Sequence, residues 1–269
     1  MNTHQIIITH EPKEMIFIFV YTRILDSKGS LAVAELTEIP EDFFCLFPEL
    51  QELIYYGNYL KEIRNNTFAC LTKLTSLDLA MNEISYIARD SFKSLTSLSE
   101  IYLSYNILTS YKESLFGKNT NLKYLYLHFN LIEEVGSSSF CESEALVNLY
   151  LHGNKLEDIN NQTLGCLKKL QILDISLNPI KTIHPNSFCG MQRLHTLNMK
   201  KVDLTYINKN DFNCLDNLQT LNLQGSAIKN IEKDSFCHTP GLSSLTIERC
   251  ELDEIRKDTF ACLTKLETL

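Results

Sequence analysis

The sequence contains no Gly-x-Ser-x-Gly, no His-Glu-x-x-His, no phosphate-binding glycine loop and no kinase signature set. These absences remove the motif-bearing hydrolases, zinc proteases, nucleotide-binding enzymes and kinases, so no catalytic residue is assigned and the chain is not expected to be an enzyme. There is also no Cys-x-x-Cys pair and no Cys/His cluster at zinc spacing, so neither a metal nor a cofactor is expected. A basic excess is missing as well: 25 Lys and Arg stand against 33 Asp and Glu, for a formal net charge of −8. Nucleic acid calls for a basic stripe, and the Lys200–Lys201 doublet, diluted by Glu248, reads as a solvated face instead. Long apolar runs are lacking too. The stretch Ile16 to Val20 (IFIFV) is too short to span a membrane, so no transmembrane segment is expected in this chain. A start at Met15 with a cut after Ala32–Ala34 would mimic a signal peptide, but Arg23, Asp26 and Lys28 interrupt its apolar run.

What the sequence does contain is a period. Leucine recurs at Leu50, Leu74, Leu98, Leu122, Leu146, Leu170, Leu194, Leu218, Leu242 and Leu266, each 24 residues after the last. The frame LxxLxLxxNxLxxIxxxxFxxLxxL holds with few exceptions, as in LTSLDLAMNEISYIARDSFKSLTSL from Leu74 to Leu98. A phenylalanine column runs through Phe44, Phe68, Phe92, Phe116, Phe140, Phe188, Phe212, Phe236 and Phe260, with Leu164 standing in once. An asparagine column runs through Asn58, Asn82, Asn106, Asn130, Asn154 and Asn178, then gives way to Val202, Ser226 and Cys250. Serine can still hydrogen-bond, whereas Val202 cannot; either drift is tolerated there or the curvature changes locally. Three parts are expected: an irregular segment 1–25, a degenerate repeat 26–49, and nine complete units plus the start of a tenth over 50–269. The stop at Leu269, a few residues into a unit, reads as a fragment of a longer protein.

These columns resemble the leucine-rich repeat family, in the 24-residue type common in extracellular proteins such as Toll-like receptor and Slit ectodomains. The resemblance covers Leu36 to the end. It implies an α/β-type repeat solenoid, a horseshoe with a parallel β-sheet on its concave face and loops or short helical turns on the convex face. Elementary geometry agrees. Along a strand the period is two, so Leu77 and Leu79 point one way and Ser76, Asp78 and Ala80 the other. One unit cannot bury its own apolar face, and stacking builds the core. Asparagine after the strand suits a sharp turn because its amide satisfies backbone groups there.

The cysteines slip against the period. Cys45 and Cys70, Cys141 and Cys166, Cys189 and Cys214, and Cys237 and Cys262 are each 25 residues apart. Neighbouring units place nearly equivalent residues within the 4.4–6.8 Å Cα separation a disulfide needs, and a one-residue stagger lets the Cβ atoms face each other. Copying of whole repeats would also multiply cysteines, and TFACLTKL does occur at both Thr67–Leu74 and Thr259–Leu266. Yet where the missing pair would fall the chain has Lys93 and Lys118, both cysteines gone together. Four inter-repeat disulfides are therefore expected, with Cys250 a buried free thiol, in an oxidising compartment. Two glycosylation sequons, Asn65 in NNT and Asn161 in NQT, fit an extracellular or cell-surface protein.

The central outward place of successive strands reads Ile54, Asp78, Tyr102, Tyr126, Tyr150, Asp174, Asn198, Asn222 and Thr246. Three consecutive tyrosines form a stack from rung to rung. The next outward place adds His128 and His152, and Tyr105, Tyr124 and Phe129 lie close by. Tyrosine joins apolar area to a hydroxyl and is over-represented at binding hot spots. Aromatic residues also suit strands without any ligand. The two histidines lack a third metal ligand. Taken together the sequence predicts an extracellular protein-interaction module, the ligand-recognition ectodomain of a receptor or adhesion protein, membrane-tethered in its full-length form. Resemblance to Toll-like receptors implies a protein or microbial ligand. A secreted matrix protein and a cytosolic leucine-rich inhibitor or adaptor are the alternatives.

Overall fold

The computed structural model describes residues 28–111, 115–116, 119–137 and 139–269. The segment 1–25, with IFIFV, and Lys118 of the missing cysteine pair lie outside them. Ten three-residue strands, Lys28–Ser30, Glu52–Ile54, Ser76–Asp78, Glu100–Tyr102, Tyr124–Tyr126, Asn148–Tyr150, Ile172–Asp174, Thr196–Asn198, Thr220–Asn222 and Ser244–Thr246, form one sheet in chain order. All neighbours are parallel, and the register equals the sequence period: Leu77 faces Ile101 and Leu125 faces Leu149. Lys28–Ser30 joins in the same register, so the stretch before Leu50 contributes one more rung.

From Glu52 onward each strand buries its middle residue and leaves the two flanking ones half-buried. That is the alternation expected of a sheet with a core on one side. The opposite wall of the coil has little regular structure. It carries four pairs of two-residue strands, for example Glu62–Ile63 with Tyr86–Ile87. It also carries a 3-10 turn, Phe43–Leu46, and a single helical turn, Asn161–Leu164, whose first turn is capped by Asn160 accepting from the Thr163 N–H at 3.1 Å.

Between the two walls lie the leucines and the phenylalanine column. Phe68 stacks between Phe44 and Phe92 at 5.5 and 6.0 Å, and Phe236 between Phe212 and Phe260 at 5.9 and 6.0 Å. Leu164, in the phenylalanine place, is fully enclosed. Phe140 meets Tyr111 at 4.7 Å. Tyr111 occupies a place where other units carry isoleucine or valine; its hydroxyl is buried without a hydrogen-bond partner, and burial raises its pKa.

Each asparagine of the turn column stitches its own unit to the one before. Asn130 donates through Nδ2 to the Leu103 and Leu127 carbonyls at 2.9 and 3.0 Å, and accepts from the Leu108 N–H at 3.1 Å. Five others repeat this arrangement, all buried. Ser226 keeps part of it, accepting from the Val202 N–H at 3.2 Å and donating to the Met199 carbonyl at 3.0 Å. Cys250 donates its thiol to the Leu223 carbonyl at 3.2 Å. Val202 does none of this, yet strand pairing continues unbroken on both sides of it.

All four staggered cysteine pairs are bonded, with Cα separations of 4.9 Å (Cys45–Cys70), 5.1 Å (Cys141–Cys166), 4.8 Å (Cys189–Cys214) and 4.9 Å (Cys237–Cys262). Cys250 is unbonded but half-buried, less enclosed than expected, and its burial raises the thiol pKa. Asp234 lies against Cys237 and Cys262, but sulfurs joined to each other offer no thiolate, so the trio is not a metal site.

Candidate recognition surface

The outward places of the sheet bring the aromatic residues into two parallel stacks. Tyr102, Tyr126 and Tyr150 lie on consecutive paired strands, because the register aligns Tyr102 with Tyr126 and Tyr126 with Tyr150. Their rings are 4.4 and 4.8 Å apart and almost coplanar in orientation, at 5° and 4°. The spacing matches the rung distance of a sheet, so the backbone period sets the stack. Each end of the stack is fixed from two residues back on its own strand: Tyr102 donates to Glu100 Oε2 at 3.1 Å, and Asn148 Nδ2 donates to the Tyr150 hydroxyl oxygen at 3.0 Å. The tyrosines are half-buried rather than exposed, because their faces cover one another. Burial raises the pKa of Tyr102 and Tyr126, so both remain hydroxyl donors at neutral pH. Tyr124 shares this face two places before Tyr126 but stands outside the stacks.

Two places further along the strands, His128 and His152 stack at 4.4 Å. Their burial disfavours the imidazolium; for His128, pushed down to about 4, the neighbouring His152 adds to the effect. Both rings are therefore neutral at physiological pH. The Nδ1 atoms of both are buried without a hydrogen-bond partner, and Asp174 Oδ2 stands 3.6 Å from His152 Nδ1, beyond hydrogen-bonding reach. Among the described residues Asp174 supplies the nearest further ligand atom, but it does not converge with both imidazoles into a coordinating group.

The second stack lies in the turn that follows. Tyr105 and Phe129 pack at 4.7 Å and 23°, and Phe129 meets His152 edge-on at 5.2 Å. Residues at this turn place adopt a left-handed backbone in every described unit: Gly57, Gly153 and Gly225 do so without strain, Val33, Lys201 and Arg249 do so with side chains, and Met81, Tyr105, Phe129 and Leu177 do so with φ of 53°, 55°, 52° and 55°. The left-handed region costs a side-chain-bearing residue roughly 1–2 kcal/mol. The same four side chains are 46%, 48%, 37% and 40% exposed, so core burial does not offset that cost. Gly153 has a second role, since a Cβ there would fall 2.6 Å from Phe129 Cδ1. Sequence reasoning singled out Tyr105 and Phe129 through their aromatic character and did not single out Met81 and Leu177, which share their turn place and exposure. The signal available was a large apolar residue directly before the turn asparagine.

Asn65 and Asn161 are both exposed and belong to the turns behind the core, away from the sheet. Among the described residues no helix is long and apolar enough to cross a membrane.

The leucine rich repeat family model matches residues 48–108, 97–156, 144–204, 168–228 and 216–269. The chain belongs to that family, whose stacked units form extended interaction scaffolds. No curated protein matches it. Among solved structures it is similar to a chain of the Toll–Spatzle complex, described as a molecular hub in Drosophila development and innate immunity. The TM-score is 0.76 at 23% identity, over 85% of this chain and 30% of that one. The likeness is one of fold, and the chain spans less than a third of its neighbour's length.

Proposed function

We propose that this chain is the ligand-recognition part of an extracellular receptor, and that it binds a protein partner on the concave face around Tyr102, Tyr126 and Tyr150. The observation that carries this reading is the tyrosine stack together with the exposed, strained apolar side chains beside it. Neither feature serves the core, and both present apolar area with hydroxyl donors at a surface. The left-handed turn itself recurs along the solenoid, but beside the ladder it is large apolar side chains that fill it, whereas Lys201 and Arg249 fill it further on. Four bridges between repeats support an oxidising compartment, and sequons on the opposite wall would leave the concave face free of glycan. The similar solved chain was itself determined as part of a complex.

Alanine replacement of the three tyrosines tests the reading. The aliphatic residues on either side of each, such as Leu125 and Leu127, are fully buried and untouched, so the fold should persist. A hot-spot tyrosine is expected to cost about 2 kcal/mol, roughly 30-fold in affinity, and the triple variant more. Asn222→Ala, at the same strand place three rungs beyond Tyr150, should change little. Affinity for a partner captured by the native protein is the readout. Wild-type affinity in a folded triple variant would move the site off the ladder.

A further inference from the structure

The ladder ends abruptly at one rung. Next to Tyr102 in register is Asp78, and the outward places along its rung are short, Ser76, Asp78 and Ala80, until the larger Met81 of the turn. One face of Tyr102 is covered by Tyr126; the other looks over this rung of small side chains. On the other side of Asp78, Ile54 stands in register, and Tyr56 of that neighbouring unit reaches across to Met81, the turn residue of the Asp78 rung, its hydroxyl donating to the sulfur at 2.6 Å. The result is a notch one rung wide, with the Tyr102 face on one side, Ile54 and Tyr56 on the other, and Met81 at its turn end.

Two carboxylates serve this notch. Asp78 is half-buried at its base, accepts from the Ala80 N–H at 2.9 Å, and has its pKa raised by burial. Among the described residues no cation pairs with it. Glu100 is held by the Tyr102 hydroxyl at the same end of the ladder. The remaining groups nearby do not neutralise them: Glu52 is taken up by Lys28 at 2.6 Å, and outward strand places from Ser76 to Ser176 carry no Lys or Arg. Lys123 precedes its strand, and Lys200 and Lys201 lie beyond the far end. Asp174, at the far end of the ladder, already has both oxygens engaged, accepting from Ser176 and from Asn198 Nδ2 at 2.9 Å. At the Tyr102 end two carboxylates stand on adjacent rungs, Asp78 accepting from the Ala80 N–H and Glu100 from the Tyr102 hydroxyl, and neither has a Lys or Arg paired to it among the described residues.

An aromatic face beside two carboxylates has a specific complement. A guanidinium group is planar, stacks on a ring and engages carboxylates through a fork of donors. An ammonium has the charge without the plane. We infer that Asp78, Glu100 and the free face of Tyr102 form a socket for an arginine side chain on the polypeptide that binds the ladder. This rests on the function proposed above and adds the chemistry of the partner: an arginine next to apolar side chains that lie along Tyr126 and Tyr150.

The test is selection of a random dodecapeptide display library on the folded protein, followed by synthesis of the enriched peptides with each arginine replaced in turn by citrulline or lysine. Citrulline keeps the planar shape and loses the charge. Enriched peptides are expected to contain an arginine whose change to citrulline weakens binding tenfold or more, with lysine intermediate. The loss should shrink to within twofold on Asp78→Asn, where the remaining side-chain oxygen can still accept from the Ala80 N–H; Glu100→Gln, which can still accept from Tyr102, provides the second variant. Peptides that lose binding on Tyr126→Ala but are indifferent to citrulline and to Asp78→Asn would overturn the socket and leave the ladder standing. Peptides indifferent to all three variants, or no enrichment at all, would overturn both.

Discussion

Complete reduction of the four bridges is expected to lower the thermal midpoint of the protein by well over 10 °C and to loosen it unevenly. Each bridge closes a loop with a sequence separation of 25. By chain-entropy reasoning such a loop stabilises the fold by about 3–4 kcal/mol. In a solenoid these contributions stay local, because each unit contacts only its neighbours. The bridges tie the units around Cys45–Cys70, Cys141–Cys166, Cys189–Cys214 and Cys237–Cys262. The bridges join alternate pairs of units, and the units starting at Leu74 and Leu98 are the two that carry no bridge at all, so the junction between them has no bridged unit on either side. That junction relies on backbone bonds such as Leu79 N–H to the Tyr102 carbonyl at 2.8 Å and on the Phe92–Phe116 stack. Hydrogen exchange in the oxidised protein should find it the least protected of the inner junctions, and reduction should bring the bridged junctions down toward it. Equal protection everywhere before reduction, or an unchanged midpoint after thiol alkylation confirms nine free cysteines, would contradict this.

Asn130→Ala is expected to destabilise the protein by about 3 kcal/mol or more, although it removes only a small polar side chain. The residue is 4% exposed, and its amide satisfies two carbonyls and one N–H that water cannot reach. Each buried group left without a partner costs about 1–3 kcal/mol. Asn130→Ser should recover part of the loss, since Ser226 in the same column both accepts and donates. Denaturant midpoints of the two variants decide it. An alanine variant within about 0.5 kcal/mol of the parent would mean that the turn does not depend on the amide.

The features legible in the sequence were those that repeat. The 24-residue period set the strand register, because every unit must bury the same face, and the one-residue stagger of the cysteines identified bonded neighbours. The tyrosine stack was legible for the same reason: Tyr102, Tyr126 and Tyr150 occupy one column. What the sequence did not reveal depends on dihedral angles and on the packing of individual side chains. Met81 and Leu177 look unremarkable in a column that also holds three glycines, and only their left-handed backbone marks them as strained. The partial burial of the tyrosines arises from their mutual contact, which a rule of alternate exposure along one strand omits. Likewise Tyr111 fits an aliphatic column in sequence, yet it brings a second ring against Phe140. The notch beside Tyr102 appears only when the short residues of one rung are read against the larger ones on either side.

The claim that the tyrosine ladder is the recognition surface is tested most directly by chemical footprinting of tyrosines in the native protein, with and without its bound partner. Tyr86 and Tyr206, 58% and 42% exposed in the short strand pairs on the opposite wall, are internal controls. Nitration of Tyr102, Tyr126 and Tyr150 should fall severalfold on binding while the two controls react as before. Protection of Tyr86 or Tyr206 with the ladder tyrosines unchanged would contradict the account.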